Sequence, residues 1–510
     1  MKPVLAGRAM RDADRFTIDE IGIPGFTLME SAGRGAARTI HDWLSAKGVT
    51  APSFGIACGK GNNGGDGLVL ARVLAGEGRS VTVFMALGSD GLTADAAKNL
   101  EILRRLSPPS LRWADTVDGL SKSTVLVDAL LGTGQQGPAR PPLASCMAWL
   151  NLQRSLKVAL DIPTGLDSDT GGLLGDPFRA DLTVTLGALK AGLLFGSGPD
   201  VSGKVAVVEI GIPEAALSTR SSEPGCGLLV DDAFVRQALP RRARIGHKYS
   251  TGPALVVGGS SKYPGAPALA ASAAARVGSG YVATALPGGV PWAGPAEIPS
   301  IDSDGEELEG WLERAKAVLV GPGMGRGLAA EALFKRVVQA ARQPLVIDAD
   351  GLRVLGNSGG LGLVRSNPWL ITPHAAEFEH LRRSMPNGGD LQSDANASNP
   401  AETARAWANR WGVVLVLKGS PTVIASPDGR VVVAAVGGPE LATAGTGDVL
   451  SGMCVGLLAM GLAPFEAAVC AVHLGGCCAA RYVKGRGLAS MMAGDIVRLL
   501  PIVLSEQFQR

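Results

Sequence analysis

A surplus of charge of either sign is what this chain most plainly lacks. Its 48 Lys and Arg offset 46 Asp and Glu to a formal net charge of +2, which argues against a dedicated nucleic-acid binder. Cysteine is scarce as well. The seven are Cys58, Cys146, Cys226, Cys454, Cys470, Cys477 and Cys478; they form no C-x-x-C pair, and most stand among apolar neighbours. That pattern speaks against a zinc site and fits buried thiols in a reducing cytoplasm. Long uninterrupted apolar runs are absent too. Residues 449–465 come nearest, but Ser451, Gly452, Gly456, Gly461 and Pro464 break them, so a buried helix is expected and no membrane span. The opening residues, with Lys2, Arg8, Arg11, Asp12 and Asp14, carry no apolar core of a secretory signal. A cytoplasmic protein is expected, with neither membrane nor nucleic acid as partner.

What is abundant is glycine, 70 in 510 residues, in a chain that is 46% hydrophobic and 18% charged. The length exceeds what one core usually holds, so two domains are expected. Apolar runs that read as strands alternate with helical stretches throughout. In the first half strands are expected at 54–58, 81–87, 124–130, 157–161, 182–186 and 205–210. Helices fall between them at 29–43, 68–75 and 94–106. In the second half strands are expected at 254–258, 281–285, 317–320, 345–348, 370–372, 413–417, 423–425 and 431–435. Helices are expected there at 266–277, 328–341 and 401–411. This is the pattern of α/β domains with mostly parallel sheets, the first a Rossmann-like doubly wound sheet. The boundaries are set at 1–215 and 230–510, with a linker at 216–229. A basic cluster of Arg241, Arg242, Arg244, His247 and Lys248 reads either as a solvated face or as a phosphate-facing patch. Residues 384–400 read as a loop or lid.

Chemistry concentrates at the ends of these strands. In the second half, Ala444-Gly445-Thr446-Gly447-Asp448 precedes an uncharged helical run. Small residues at a helix N-terminus leave N–H groups open to an anion such as a moving phosphoryl group. Asp448 cannot bind that anion, but it can accept the proton of an attacking hydroxyl. The alternative reading is an Asp N-cap. Gly321-Pro322-Gly323, Asp348-Ala349-Asp350 and Thr372-Pro373-His374 end other strands, and Lys418-Gly419-Ser420-Pro421-Thr422 bridges two, a placement suited to nucleotide phosphates. Each also has a plain reading as turn, cap or surface charge. In the first half, Gly59-Lys60-Gly61-Asn62-Asn63-Gly64-Gly65-Asp66-Gly67 contains a G-x-G-x-x-G between strand and helix, a weak dinucleotide signal made more specific by its amides and carboxylate. Asp128 and Asp161 end two further strands.

These first-half motifs resemble the N-terminal domain of the YjeF family, the NAD(P)H-hydrate epimerases. The matching pieces are Leu28-Met29-Glu30-Ser31-Ala32-Gly33, Gly61 to Gly67, Asp128-Ala129-Leu130-Leu131-Gly132-Thr133-Gly134 and Asp161-Ile162-Pro163-Thr164-Gly165-Leu166. The resemblance implies that Asn62, Asn63, Gly64, Gly65 and Asp66 bind hydrated nicotinamide nucleotide together with Gly132, Thr133, Gly134, Gln135, Gln136, Gly137 and Pro138. It sets Asp161 beside the reactive ring and K+ at Asn63, Asp128 and Thr164. Thr164 stands where the family usually has serine, and Gln135-Gln136-Gly137-Pro138 lacks an arginine that the family often carries. The second half resembles the ribokinase-like, ADP-dependent NAD(P)H-hydrate dehydratases of the same family, through the strand ends above and His247-Lys248-Tyr249-Ser250-Thr251-Gly252. That resemblance implies ADP, with Mg2+, at Lys418, Gly419, Ser420, Pro421, Thr422, Gly445, Thr446 and Gly447. It places the hydrate at Gly323, His374 and Asp448, with Asp448 catalytic. Both domains in this order imply a bifunctional enzyme acting on NADHX and NADPHX, expected as a homo-oligomer. The rivals are a small-alcohol or vitamin kinase fused to a non-catalytic nucleotide-binding module, and a plain NAD dehydrogenase. The latter is weakened because only Asp90 stands near the end of the second strand as a ribose-binding acid.

Overall fold

A computed structural model describes residues 1–241, 251–358, 367–384, 399–487 and 490–508. Most of the basic cluster, the His247 to Ser250 motif and nearly all of the 384–400 segment lie outside the described residues. The chain divides into two compact units. One holds Lys2–Gly227 with Ala397–Pro400, and the other Leu228–Asn396 with Ala401–Arg510. The stretch read as a linker carries a helix, Glu214–Arg220, and a short strand, Gly227–Leu229.

The first unit contains β1 (Lys2–Leu5), β2 (Phe54–Cys58), β3 (Val81–Met85), β4 (Leu111–Ala114), β5 (Val125–Ala129), β6 (Leu156–Leu160), β7 (Leu182–Leu186), β8 (Leu189–Lys190) and β9 (Lys204–Val208). Seven of them form a sheet in the order β4-β3-β2-β5-β6-β7-β9, parallel throughout. From β2 the chain builds outward to β3 and β4, then returns to place β5 on the other side of β2. The carboxyl ends of β2 and β5 therefore flank a switch point, where open α/β sheets bind ligands. β2 and β5 are buried along their whole length, as strands covered by helices on both faces must be. Outside this sheet β1 pairs with β8, setting Leu5 against Lys190.

The second unit contains β10 (Gly227–Leu229), β11 (Pro253–Val257), β12 (Tyr281–Leu286), β13 (Ser300–Asp302), β14 (Ala317–Val320), β15 (Leu345–Ile347), β16 (Trp369–Ile371), β17 (Val414–Leu417), β18 (Thr422–Ala425) and β19 (Val431–Ala434). They run in the order β13-β12-β11-β14-β15-β16-β17-β18-β19-β10. Only the β17–β18 and β18–β19 pairs are antiparallel. The parallel run brings the carboxyl ends of β11, β14, β15, β16 and β17 to one edge. The helix Thr446–Ala459 packs against the helix Gly265–Arg276 and against β11, β14 and β15. Gly452 permits that approach, because a Cβ there would overlap the Ala270 carbonyl oxygen. The core of this unit is apolar and rich in alanine, which lets the helices lie close to the sheet.

Candidate active sites

In the first unit the strand ends open on a cavity of about 440 Å³. Asn62, Asn63, Asp66, Gly132, Thr133, Gly134, Gln135 and Asp161 line it, as do Arg11, Asp14 and Lys190. Asp161 has φ +64°, a left-handed conformation uncommon outside glycine and one that often marks a functional position. Its Oδ1 lies 2.5 Å from Lys190 Nζ, and Lys190 is almost wholly buried. Its other oxygen is close enough to Gly132 that a Cβ there would stand 3.3 Å away. Burial pushes the Asp14 carboxyl up to about 6, with the Lys190 charge opposing and the Asp161 charge assisting. Burial, then the charges of Asp161 and Asp14, raise Asp66 well above the usual carboxylate range. Three carboxyl groups thus surround one buried ammonium.

The remaining first-half candidates sit elsewhere. Gly64 and Gly65 do not line the cavity. A Cβ on Gly64 would run into the Gly59 carbonyl, and one on Gly65 would stand 2.6 Å from Met29 Sδ, so both serve close packing of the turn. Gln135 faces the cavity and ties its loop together, accepting from Gly165 N–H at 2.8 Å and donating to Gly137 O at 3.0 Å. Gln136, Gly137 and Pro138 are not among the lining residues. Asp128 and Thr164 are fully buried. Asp128 accepts from Thr164 N–H at 2.8 Å, Thr164 Oγ1–H at 2.9 Å and Leu130 N–H at 3.0 Å. Burial pushes its carboxyl up to about 6, and these hydrogen bonds oppose the rise. Asn63 donates to Leu131 O at 2.9 Å, while its buried Oδ1 has no hydrogen-bond partner.

Two cavities open among the described residues of the second unit. One, of about 660 Å³, is lined by Lys418, Gly419, Ser420, Pro421, Thr422, Thr446 and Gly447. Val436, Leu441, Leu450, Met453, Val472 and Ile496 give it an apolar wall. The other, of about 800 Å³, is lined by Gly323, His374 and Asp448, with Lys262, Arg326, Asp350, Arg353 and Glu377. Gly447 lines the first and Asp448 the second, so the cavities adjoin at one helix N-terminus. Gly445 is the N-cap, at φ +88° and without a side-chain capping bond. Its Cβ-free backbone makes that turn accessible, and Asp448 is therefore not the cap. The N–H of Thr446 is taken by Thr443 O at 3.3 Å, and the intrahelical ladder starts with Val449 N–H to Gly445 O at 3.1 Å. Among the described residues, the N–H groups at this turn with no backbone acceptor are those of Gly445, Gly447 and Asp448, so of the Gly-Thr-Gly turn only the Thr446 N–H is taken.

Behind this turn lies a charged cluster only partly legible in the sequence. Lys418 Nζ stands 3.1 Å from Asp348 Oδ1 and 3.7 Å from Glu377 Oε2. Burial works against the Lys418 charge, but Asp348 and then Glu377 outweigh it and raise its pKa. Burial, then the charge of Asp348, push the Asp448 carboxyl up to about 7, with Lys418 opposing. Asp350 accepts from Gly325 N–H at 2.9 Å, and Ala349 between the two aspartates has φ +52°. His374 caps the helix Ala375–Arg383, its Nδ1 accepting from Ala376 N–H at 3.1 Å and Glu377 N–H at 3.4 Å. Sequence reasoning missed Asp14 and Lys190 in the first site and gave Asp348 and Glu377 no role in the second. A lone lysine in the apolar stretch 182–195 was the one available signal for Lys190.

Two α/β domains, one with a carboxylate-rich crevice and one with paired cavities at a helix N-terminus, define a two-site nucleotide-handling enzyme. Family models match both. Residues 25–192 match the YjeF-related protein N-terminus, and residues 254–501 match NAD(P)H-hydrate dehydratase. The bifunctional NAD(P)H-hydrate repair enzyme Nnr of Salinibacter ruber is 43% identical, covering 99% of this chain and 97% of its own. That of Moorella thermoacetica is 36% identical, covering 97% and 95%. The crystal structure of the ADP/ATP-dependent NAD(P)H-hydrate dehydratase from Bacillus subtilis, co-crystallized with ATP/Mg2+, aligns with 55% of this chain and 99% of its own, at 30% identity and a TM-score of 0.48. The chain belongs to the family of bifunctional NAD(P)H-hydrate repair enzymes.

Proposed function

We propose that the chain repairs hydrated nicotinamide dinucleotides. The first domain interconverts (R)- and (S)-NAD(P)HX. The second uses ADP to dehydrate the S form, giving NAD(P)H, AMP and phosphate. The observation that carries this reading is the pair of cavities adjoining at Gly447 and Asp448. An enzyme that moves phosphate between two bulky nucleotides needs two compartments with the base and the anion donors at their border.

Hydroxide is a poor leaving group from C6 of the hydrate. Asp448 takes the hydroxyl proton as the C6 oxygen attacks the β-phosphorus of ADP. The bond to the bridging oxygen breaks and AMP leaves. The N–H groups of Gly447 and Asp448 meet the charge on the moving phosphoryl group, and losing one such donor costs about 10²–10³ in rate. Phosphate then departs from C6, a proton leaves C5, and the dihydropyridine is restored. The apolar wall of the smaller cavity suits adenine and Lys418 its phosphates. Mg2+ is proposed as the counter-ion that ADP carries in, beside the carboxylate of Asp350.

In the first domain, losing the C6 hydroxyl as water and regaining it on the other face interchanges the epimers. That requires one group to give a proton and another to take one. Asp66 and Asp14, pushed up by burial, are suited to give it; Asp161, paired with Lys190, is suited to take it. K+ is proposed beneath this site. The unpartnered Asn63 Oδ1, the buried Asp128 carboxylate and Thr164 Oγ1 form an all-oxygen set with one formal charge, which suits a large monovalent ion. There it would supply positive charge that fixes the two loops. Seven buried cysteines, none in a disulfide, fit a reducing cytoplasm. No helix among the described residues is long and apolar enough to cross a membrane. The test of the function is whether (S)-NADHX with ADP yields NADH, AMP and phosphate; a stable phosphorylated product would instead favour a kinase.

A further inference from the structure

We propose that His374 is a catalytic hydrogen-bond donor to the phosphoryl group in transit, with its tautomer fixed by the helix that it caps. The proposal rests on the reading of the second domain as an ADP-dependent dehydratase. Among the described residues, His374 is the only one that lines both cavities of that domain. The imidazole is thus exposed both to a nucleotide in one cavity and to a hydroxyl-bearing ligand in the other. Its position is held from two sides. Lys418 N–H donates to Pro373 O at 2.9 Å, and a parallel bridge pairs His374 with Lys418 at the ends of β16 and β17. On the other side, His374 N–H donates to Glu377 Oε2 at 2.9 Å, closing a capping box.

The capping bonds decide which nitrogen carries the proton. Nδ1 accepts from two helix N–H groups, so it holds a lone pair and no hydrogen, and the neutral ring must carry its proton on Nε2. Nε2 stands 3.4 Å from Glu377 Oε1, a long contact that a better acceptor can displace. A phosphoryl oxygen that gains charge during transfer is such an acceptor. The ring thus adds a donor to those of Gly447 and Asp448. It spends its other nitrogen on the helix, and so it does not compete with Asp448 for the hydroxyl proton.

Asparagine and serine are good N-caps, but neither carries a donor out to the place of Nε2. The experiment measures ADP-dependent kcat, KM for ADP and for (S)-NADHX, and the thermal midpoint, in His374→Asn, His374→Ser and His374→Ala. The expected result is a kcat lower by about 10²–10³ in all three, with both KM values within about threefold of the parent and the midpoint lowered mainly in His374→Ala. Near-parental kcat in His374→Asn or His374→Ser, with a loss only in His374→Ala that follows its lowered midpoint, would overturn the proposal and leave His374 as a cap. A rise in KM without a fall in kcat would also overturn it. Failure of the parent to make NADH from ADP and the hydrate would instead refute the dehydratase reading itself.

Discussion

Each site turns on single carboxyl groups whose surroundings set what they can do. As the proposed base, Asp448 acts only as the carboxylate. Burial and Asp348 push it up to about 7, so dehydration should rise as pH climbs through about 7 and fall away below it. Asp448→Asn should abolish ADP-driven NADH formation at every pH and leave epimerisation intact. A mutant with normal dehydration would remove Asp448 from the mechanism. In the first domain Asp161→Asn should slow R/S interconversion without touching the dehydratase, so a mixed hydrate would be repaired in two phases. Repair in one fast phase would make Asp161 structural. Lys190→Met tests the same cluster by stability. It leaves Asp14, Asp66 and Asp161 without their cation, and loss of one partner of a buried pair costs about 3–5 kcal/mol, which denaturant unfolding of the first domain would register. Asp448 was visible in the sequence at a helix start beside Gly447, and Asp161 at a strand end before a Pro-Thr-Gly turn. Lys190 was not: 29 positions separate it from Asp161, and only the fold brings an apolar-flanked lysine to a carboxylate.

The elements show why those residues meet. The strands named from the sequence lie within two residues of the observed ones, since strands of a parallel sheet are continuous apolar runs; β2 and β14 fall where expected, whereas the short β1, β8, β10 and β13 were missed. Helix starts were less so. The helix after β2 begins at Asn62, six residues before its apolar pattern, because Asn-Asn-Gly-Gly-Asp has poor helix propensity and is held helical by packing. The edge strand β4 (Leu111–Ala114), with Arg112 and Trp113 exposed, gave no apolar run to find. The helix that carries Asp448 is placed by its contact with the helix Gly265–Arg276. Gly452→Val should force those helices apart at a cost of about 1–3 kcal/mol and shift Asp448. Dehydratase activity should drop at least tenfold while epimerase activity holds. Equal loss of both activities would show that this contact does not govern the second site alone.

For the whole molecule, the expected consequence is division of labour. The second domain alone leaves the R form waiting on spontaneous epimerisation, and the first domain alone yields no NAD(P)H. With K+ proposed at Asn63, Asp128 and Thr164, replacing K+ with a bulky organic cation should slow epimerisation and spare dehydration of pure (S)-NADHX. An unchanged epimerisation rate would count against the ion. The central claim is that one chain epimerises and dehydrates, and one measurement tests it directly: a mixture of (R)- and (S)-NADHX, with ADP, Mg2+ and K+, followed for NADH, AMP and phosphate. The account predicts conversion of both epimers in a single enzyme-limited phase, with one AMP and one phosphate released per NADH. A stop after the S form, or ADP consumed into a lasting phosphorylated product without NADH, would contradict it.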